Sequence, residues 1–271
     1  MMTAVRSPAV AGLFYPADGY QLKQNVSHLL ASATSCHVRP KALIVPHAGY
    51  IYSGAVAASA YAGLVPFAHV IRRVVLLGPA HRVAVRGLAL PGMDVFETPL
   101  GEVKVDQQLV AAIANFPQVA VSTEAHTLEH ALEVQLPFLQ SVLDDFTLLP
   151  LAVGTATAEA VAQVLEQLWG GEETLIVVSS DLSHYLPYSV AQRTDHETVQ
   201  AILHMHQPIA HNRACGSVSV NGLIIAAQKH HLTPLLLDLR NSGDTAGPRD
   251  QVVGYAAIAF TEGSAGDDPV N

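Results

Sequence analysis

Charge is scarce in this chain of 271 residues: Asp, Glu, Lys and Arg together make up 14%, against about 25% in ordinary globular domains. Aromatic residues are few as well, at 6% with a single tryptophan. Half of the residues are apolar, which excludes a disordered chain, since disorder requires low hydrophobicity and high charge. Lys and Arg number 14 against 23 Asp and Glu, a formal net charge of -9. The basic footprint that nucleic acid demands is missing, so no nucleic-acid partner is expected. The two cysteines, Cys36 and Cys215, are too few for a disulfide framework and point to a reducing, cytoplasmic compartment. The opening MMTAVRSPAV holds one Arg and no apolar run of signal-peptide length. No formal charge falls between Lys41 and Arg72, yet Pro46, His47, three Tyr and Pro66 interrupt that stretch. It reads as a buried strand and an Ala-rich helix, not a membrane span. Histidine, by contrast, is abundant: 14 copies in a charge-poor chain.

Short apolar runs recur and end in turn residues: Ala42–Val45, Val74–Leu77, Thr147–Val153, Leu175–Val178, Leu235–Leu239 and Val252–Phe260. Runs of four to eight aliphatic residues bounded by Gly and Pro predict strands buried on both faces. Helical periodicity separates them at Tyr20–Leu30, Gly54–Leu64, Asp106–Ala114, Leu128–Leu143, Ala158–Trp169, Ser189–His204 and Val220–His230. The alternation predicts one layered α/β domain with a largely parallel central sheet flanked by helices. Gly87–Leu90 and Gly101–Val105 add a hairpin or edge strand. The domain is expected to span residues 1–262, followed by a short flexible tail, 263–271.

Ligands of open α/β sheets bind at the carboxyl ends of the strands. Three predicted strands end near His47, His81 and the segment Ser179-Ser180-Asp181-Leu182-Ser183-His184. Each histidine alone reads as a turn residue; three on one sheet edge suggest a transition-metal site. Separately, His126-Thr127-Leu128-Glu129-His130 spells the inverted zincin pattern. On one helix, His126 and His130 would share Zn²⁺ with Glu129 as the base, a less favoured zinc-hydrolase reading.

Eight blocks in order carry a resemblance. They are Ala11-Gly12-Leu13-Phe14-Tyr15-Pro16; Pro46-His47-Ala48-Gly49-Tyr50 with Tyr52-Ser53-Gly54; Leu77-Gly78-Pro79-Ala80-His81; and the segment from Glu129 to Phe138. Val178 to His184, Cys215-Gly216, Asn241-Ser242-Gly243-Asp244 and Val253-Gly254-Tyr255-Ala256-Ala257 complete the series. This pattern resembles the Memo family, known in prokaryotes as AmmeMemoRadiSam system protein B, from about Ala11 to Phe260. The family is similar in fold to class III extradiol dioxygenases.

The resemblance implies metal ligands at His47, His81 and Cys215, an acid/base at His184, and pocket positions at His130 and Asp181. Fe(II) is the first expectation for the metal, with Cu or Zn as alternatives. A thiolate in place of the carboxylate of the two-His facial triad is the departure from the dioxygenases. The implied activity is a metal-dependent redox reaction on a small-molecule substrate. The alternative is a ligand- or peptide-binding accessory role beside radical-SAM and AMMECR1-like proteins. Ala80 and Ala131 stand where the family pattern suggests serine. Asp244 reads either as a turn residue or as an orienter of a ligand histidine. Tyr50 and Tyr52 either border the pocket or pack the following helix. Substrate and oligomeric state are not legible at this level.

Overall fold

A computed structural model describes residues 3–34 and 39–262. The expected tail, 263–271, and Cys36 lie outside the described residues. In chain order the first half comprises β1 (Val5–Arg6), α1 (Gly19–Ser32), β2 (Pro40–Val45), α2 (Tyr50–Tyr61), β3 (Arg73–Pro79), β4 (Leu88–Leu90), β5 (Val95–Thr98) and β6 (Gly101–Lys104). Next come α3 (Gln107–Ile113), β7 (Val119–Val121), α4 (Thr123–Thr127), α5 (His130–Glu133), α6 (Leu136–Val142), β8 (Thr147–Val153), α7 (Ala158–Gln167) and β9 (Thr174–Ser179). The remainder is β10 (His184–Leu186), α8 (Tyr188–Leu203), α9 (Ser217–Lys229), β11 (Leu232–Asn241) and β12 (Val252–Glu262).

The sheet's centre is parallel, in the order β2-β9-β3-β8. Antiparallel partners flank it, with β12 pairing with β2, β11 and β10 and β4 pairing with β8, and β7 adds a parallel edge strand to β4. The single α/β domain expected from the sequence is therefore present, as one mixed sheet with a parallel heart. Alternation along each central strand divides the core. Leu43, Val45, Val74, Leu76, Leu175 and Val177 face one apolar cluster, shared with Leu22 and Val26 of α1, Val56 of α2 and Phe138 of α6. Ala42, Ile44, Val75, Leu77, Ile176 and Val178 face the other, with Val161 and Leu165 of α7 and Leu223 of α9. This period of two, buried on both sides, is why the strands read as unbroken aliphatic runs. No helix among the described residues is long and apolar enough to cross a membrane.

Two local expectations are corrected. Gly87–Leu90 and Gly101–Val105 do not pair with each other. Leu88–Leu90 joins the main sheet, whereas Gly101–Lys104 pairs with β5 in a separate three-stranded sheet that includes β1. The helix expected at Leu128–Leu143 is broken into α5 and α6. Glu129 is extended, with its side chain accepting from the Ala131 amide. That makes it the N-cap of a new short helix, not a link in a continuous one.

The segment around this break is tied to the start of the chain by a buried ion pair. Arg6, 2% exposed, donates to Oε2 of Glu133 and to the carbonyls of His126 and Glu129. Glu133, fully buried, also accepts from the amides of Ala9 and Val10 and from the Tyr15 hydroxyl. Every nitrogen of the guanidinium and both carboxylate oxygens have a partner, which is the condition for burying such charges. Arg6→Met should leave the Glu133 carboxylate without a counter-charge and lower unfolding stability by about 3–5 kcal/mol. Urea denaturation at pH 7 measures this, and a loss under about 1 kcal/mol, the worth of a surface pair, would contradict the role.

Candidate metal centre

His47 follows β2 and His81 follows β3, while His130 opens α5, which packs on the end of β3. One ring nitrogen from each of these three histidines lies within 4.8 Å of the others. The rings of His81 and His130 stack at 4.8 Å, and both stand edge-on to His47, at 5.2 and 5.4 Å. Close approach at this edge depends on Gly78. A Cβ there would meet Leu132 Cδ2 at 3.0 Å and Ala131 Cβ at 3.2 Å, so any side chain would make these α5 residues give way by tenths of an ångström.

Hydrogen bonding decides which nitrogens are free. Ser179 Oγ donates its only proton to the Ala131 carbonyl at 2.7 Å and accepts from Gln135 Nε2 at 2.8 Å. It can therefore only accept in its 2.9 Å contact with His47 Nδ1, so that nitrogen carries the proton. Nε2 of His47 is left with its lone pair. Gln135 is held in turn by the Pro46 carbonyl, which accepts a hydrogen bond from Nε2, and by the Tyr61 hydroxyl, which donates to Oε1.

Glu129 does the same for His81. Its carboxylate accepts from the His81 amide at 2.6 Å and from His81 Nδ1 at 2.9 Å, and lies 3.3 Å from His130 Nδ1. Burial alone would raise the Glu129 pKa, but the contacts with His81 and the amides of Ala131 and His81 overcome it and hold the carboxyl at about 2. An ionised carboxylate can only accept, so Nδ1 of His81 carries a proton and Nε2 is the nitrogen left for a metal. A carboxylate behind a histidine in this manner fixes both tautomer and ring orientation for a metal.

Burial also keeps two of the imidazoles, His47 and His130, neutral. His47 is pushed down to about 3 by desolvation and by the neighbouring His81. His130 is pushed down to about 4 by desolvation and by His47. Neutral rings with free nitrogens at neutral pH are the form that binds a transition metal.

The other expected site residues fall around this trio. Cys215 Sγ sits 3.3 Å from His47 Nε2. Since Nε2 bears the lone pair, the thiol is the donor, in keeping with a pKa pushed up to about 12 by burial and the nearby Asp181. Asp181 is buried and accepts the His47 amide at 2.7 Å, and desolvation raises its pKa. His184 is exposed on β10, with Nδ1 donating to the Leu182 carbonyl at 2.9 Å. A pocket of about 580 Å³ is lined by His47, His81, His130, Asp181 and His184, with Phe14, Tyr52 and Tyr255 as aromatic walls.

His126 lies apart from this group. Its Nε2 donates to the Ala89 carbonyl and its Nδ1 has no partner, and α4 ends before His130 begins α5. The H-x-x-E-H string therefore does not present two histidines one helical turn apart. Asp244 accepts from the Asn241 amide and the Tyr188 hydroxyl and closes a turn. Tyr50 is buried against Phe138, with its hydroxyl on the Val134 carbonyl, and Tyr52 lines the pocket. Sequence reasoning missed Ser179, Gln135 and the orienting role of Glu129. Glu129 lay inside the motif, but its target was visible only in three dimensions.

A mixed α/β sheet that delivers clustered neutral histidines to its carboxyl edge defines an α/β protein with a candidate metal centre. An uncharacterized protein of Escherichia coli K12 shares the fold, with a TM-score of 0.55 over 81% of this chain and 99% of that one, at 16% identity. The chain belongs to the Memo family, whose model, described as Memo-like protein, matches residues 6–259. MEMO1 family proteins of Aquifex aeolicus and Methanosarcina barkeri are each 36% identical to it, over 94% of this chain and 99% of theirs. One of Metallosphaera sedula is 35% identical over 95% of this chain.

The depressed histidines set a pH dependence. In the unfolded chain, His47, His126 and His130 take up protons near pH 6.5. In the folded chain they do so only at about 3, 4 and 4. Their stabilising contribution is thus complete above about pH 7 and is lost as pH falls through 6.5 toward 4, at about 1.4 kcal/mol per pH unit for each ring. Asp181 and Asp195, raised by burial, oppose this with at most two protons against three. Urea midpoints of metal-free protein should fall between pH 7 and pH 5; a flat profile would contradict the burial of neutral rings.

Proposed function

We propose that the protein is a metal-dependent oxidoreductase of extradiol-dioxygenase type, acting on a small molecule in the histidine pocket. The carrying observation is that Ser179 and Glu129 occupy Nδ1 of His47 and His81, which leaves Nε2 of each ring for a metal, beside His130. These residues fit a transition-metal ion, with His47, His81 and His130 as donors. Cys215, whose Sγ touches His47 Nε2, is a further donor once it loses its proton to the metal's charge. Imidazole donors with a nearby thiol suit Cu, Zn or Fe alike, and it is the likeness to extradiol dioxygenases that puts Fe(II) first. Bound there, the metal would supply redox chemistry and a Lewis-acid contact to neighbouring oxygens of a substrate.

The chain's own groups supply the rest. His184 holds its proton at Nδ1 against the Leu182 carbonyl, so Nε2 is the atom that accepts a proton from a substrate hydroxyl. Phe14, Tyr52 and Tyr255 offer faces for a flat substrate and narrow the access of water. A phosphopeptide-binding role is disfavoured, because no lysine or arginine is found among the described residues lining the pocket. In an accessory role beside radical-SAM and AMMECR1-like proteins, the centre would bind metal without turnover.

Oxygen uptake by the Fe(II)-loaded protein with a panel of catechols separates these readings. Uptake supports the enzyme, and metal binding without uptake overturns it in favour of the accessory role. Elemental analysis should show His47→Ala and His81→Ala losing metal while His126→Ala keeps it. Retention in the first two, or loss in the third, sinks the assignment of ligands. Glu129→Gln should weaken metal affinity by about 10–100-fold, the usual effect of removing such an orienting partner. His184→Ala should keep the metal and lose about 10²-fold or more in turnover.

A further inference from the structure

His184 stands on a short and irregular strand. β10 has three residues, and its ladder with β12 holds at His184↔Val253 and Leu186↔Val252 with a register shift between them. Between those two pairs Tyr185 has a φ of 57°, a left-handed backbone that a bulky residue keeps only where its surroundings impose it. The His184 ring is oriented by the Leu182 carbonyl, which accepts a hydrogen bond from Nδ1 at 2.9 Å. Which nitrogen the ring presents to the histidine pocket therefore depends on how firmly residues 182–184 are held. The ladder of β10 is a weak anchor for them.

A stronger one comes from α8, which packs against β10 and β12. Asp195 of this helix is 2% exposed, and its Oδ1 accepts the Ser183 amide at 3.0 Å. Ser183 is itself fully buried, and its carbonyl accepts the Gly254 amide at 2.9 Å. The Leu182 amide donates to the Gly254 carbonyl at 2.8 Å. The carboxylate reaches this point because residue 254 is glycine: a Cβ there would lie 2.0 Å from Oδ2 and 2.5 Å from Cγ of Asp195. Burial raises the Asp195 pKa, so a carboxyl group is kept here against an unfavourable environment. Asp195 is not among the residues lining the histidine pocket. Any effect it has on chemistry there passes through the backbone it holds.

We propose that Asp195 is a positioning residue for His184. By fixing the Ser183 amide it holds the Leu182 carbonyl against Nδ1, which keeps the proton on that nitrogen and leaves Nε2 to accept one from a substrate. The inference rests on the proposed role of His184 as proton acceptor.

Nitrogen-15 NMR of the metal-free full chain at about pH 8, above the ordinary histidine range, tests the proposal directly. The His184 signals are identified by their loss in His184→Ala. The unaltered protein should show one tautomer, protonated at Nδ1, and Asp195→Ala should show a mixture of the two. An aspartate that merely stabilised the fold would lower the unfolding midpoint without moving the tautomer. In the Fe(II)-loaded protein, with a catechol that supports oxygen uptake, Asp195→Ala should lower kcat about tenfold, less than loss of the ring itself. KM and metal content should stay as they were. Asp195→Asn, whose amide oxygen can accept the same hydrogen bond, should restore both the tautomer and most of the turnover. If Asp195→Ala does not fold, Asp195→Ser, too short to reach the Ser183 amide, takes its place. An unchanged tautomer in a folded variant overturns the proposal, as does an unchanged kcat. Equal damage from Asn and Ala overturns it too, because the accepted hydrogen bond would then not be what matters. Absence of oxygen uptake in the unaltered protein fails the enzyme reading alone, since the tautomer is read without metal or substrate.

Discussion

One guanidinium group holds the centre in shape. Arg6 reaches from the second residue of β1 to the carbonyls of His126 and Glu129, 120 and 123 residues later in the chain. Its charge is balanced by Glu133 at the end of α5. Glu133 in turn gathers the amides of Ala9 and Val10. The loop carrying Glu129 and His130 is therefore clamped from behind, and Glu129 is free to aim its carboxylate forward at His81. A site made of short helices and loops owes its rigidity to this pair, because α4 and α5, of five and four residues, are too short to hold themselves.

The centre also stores unfavourable chemistry. Two imidazoles are kept neutral well below their ordinary pKa, and a thiol is kept protonated well above its own. Each resists taking a charge because the surroundings solvate charge poorly. A bound cation would reverse that balance at once, since it supplies the missing counter-charge for a thiolate and uses the lone pairs that protons are denied. The geometry is assembled beforehand, so little rearrangement opposes binding.

Much of this was legible in sequence because a buried parallel strand has to announce itself. Val74–Leu77 and Leu175–Val178 are solid aliphatic runs because both faces are covered, and their ends locate His81 and the Ser179–His184 segment. His130 was legible only as a motif position, since nothing in a linear string says that a histidine beyond six intervening elements will stack on His81. The break before α5 was missed for a related reason. Periodicity over Leu128–Leu143 is apolar enough for one helix, but Glu129 is committed to a long-range partner, and tertiary hydrogen bonds outweigh a helical preference of a few tenths of a kcal/mol per residue. Ser179 escaped notice because a serine after a strand is ordinary; its role comes from having one proton and three neighbours that each restrict it.

Gly78 gives the centre an unusual failure mode. It touches no ligand and performs no chemistry, yet its missing side chain is the space in which Leu132 and Ala131 rest. A single methyl added there would force Leu132 and Ala131 to give by tenths of an ångström, and where the side chains cannot yield, α5 moves and takes Glu129 with it. Over evolutionary time a lineage could therefore retire this centre while every histidine, the cysteine and the carboxylates stayed in place. An inventory of reactive residues would still count such a descendant as active. The spacing at one backbone atom would show that it had become a scaffold.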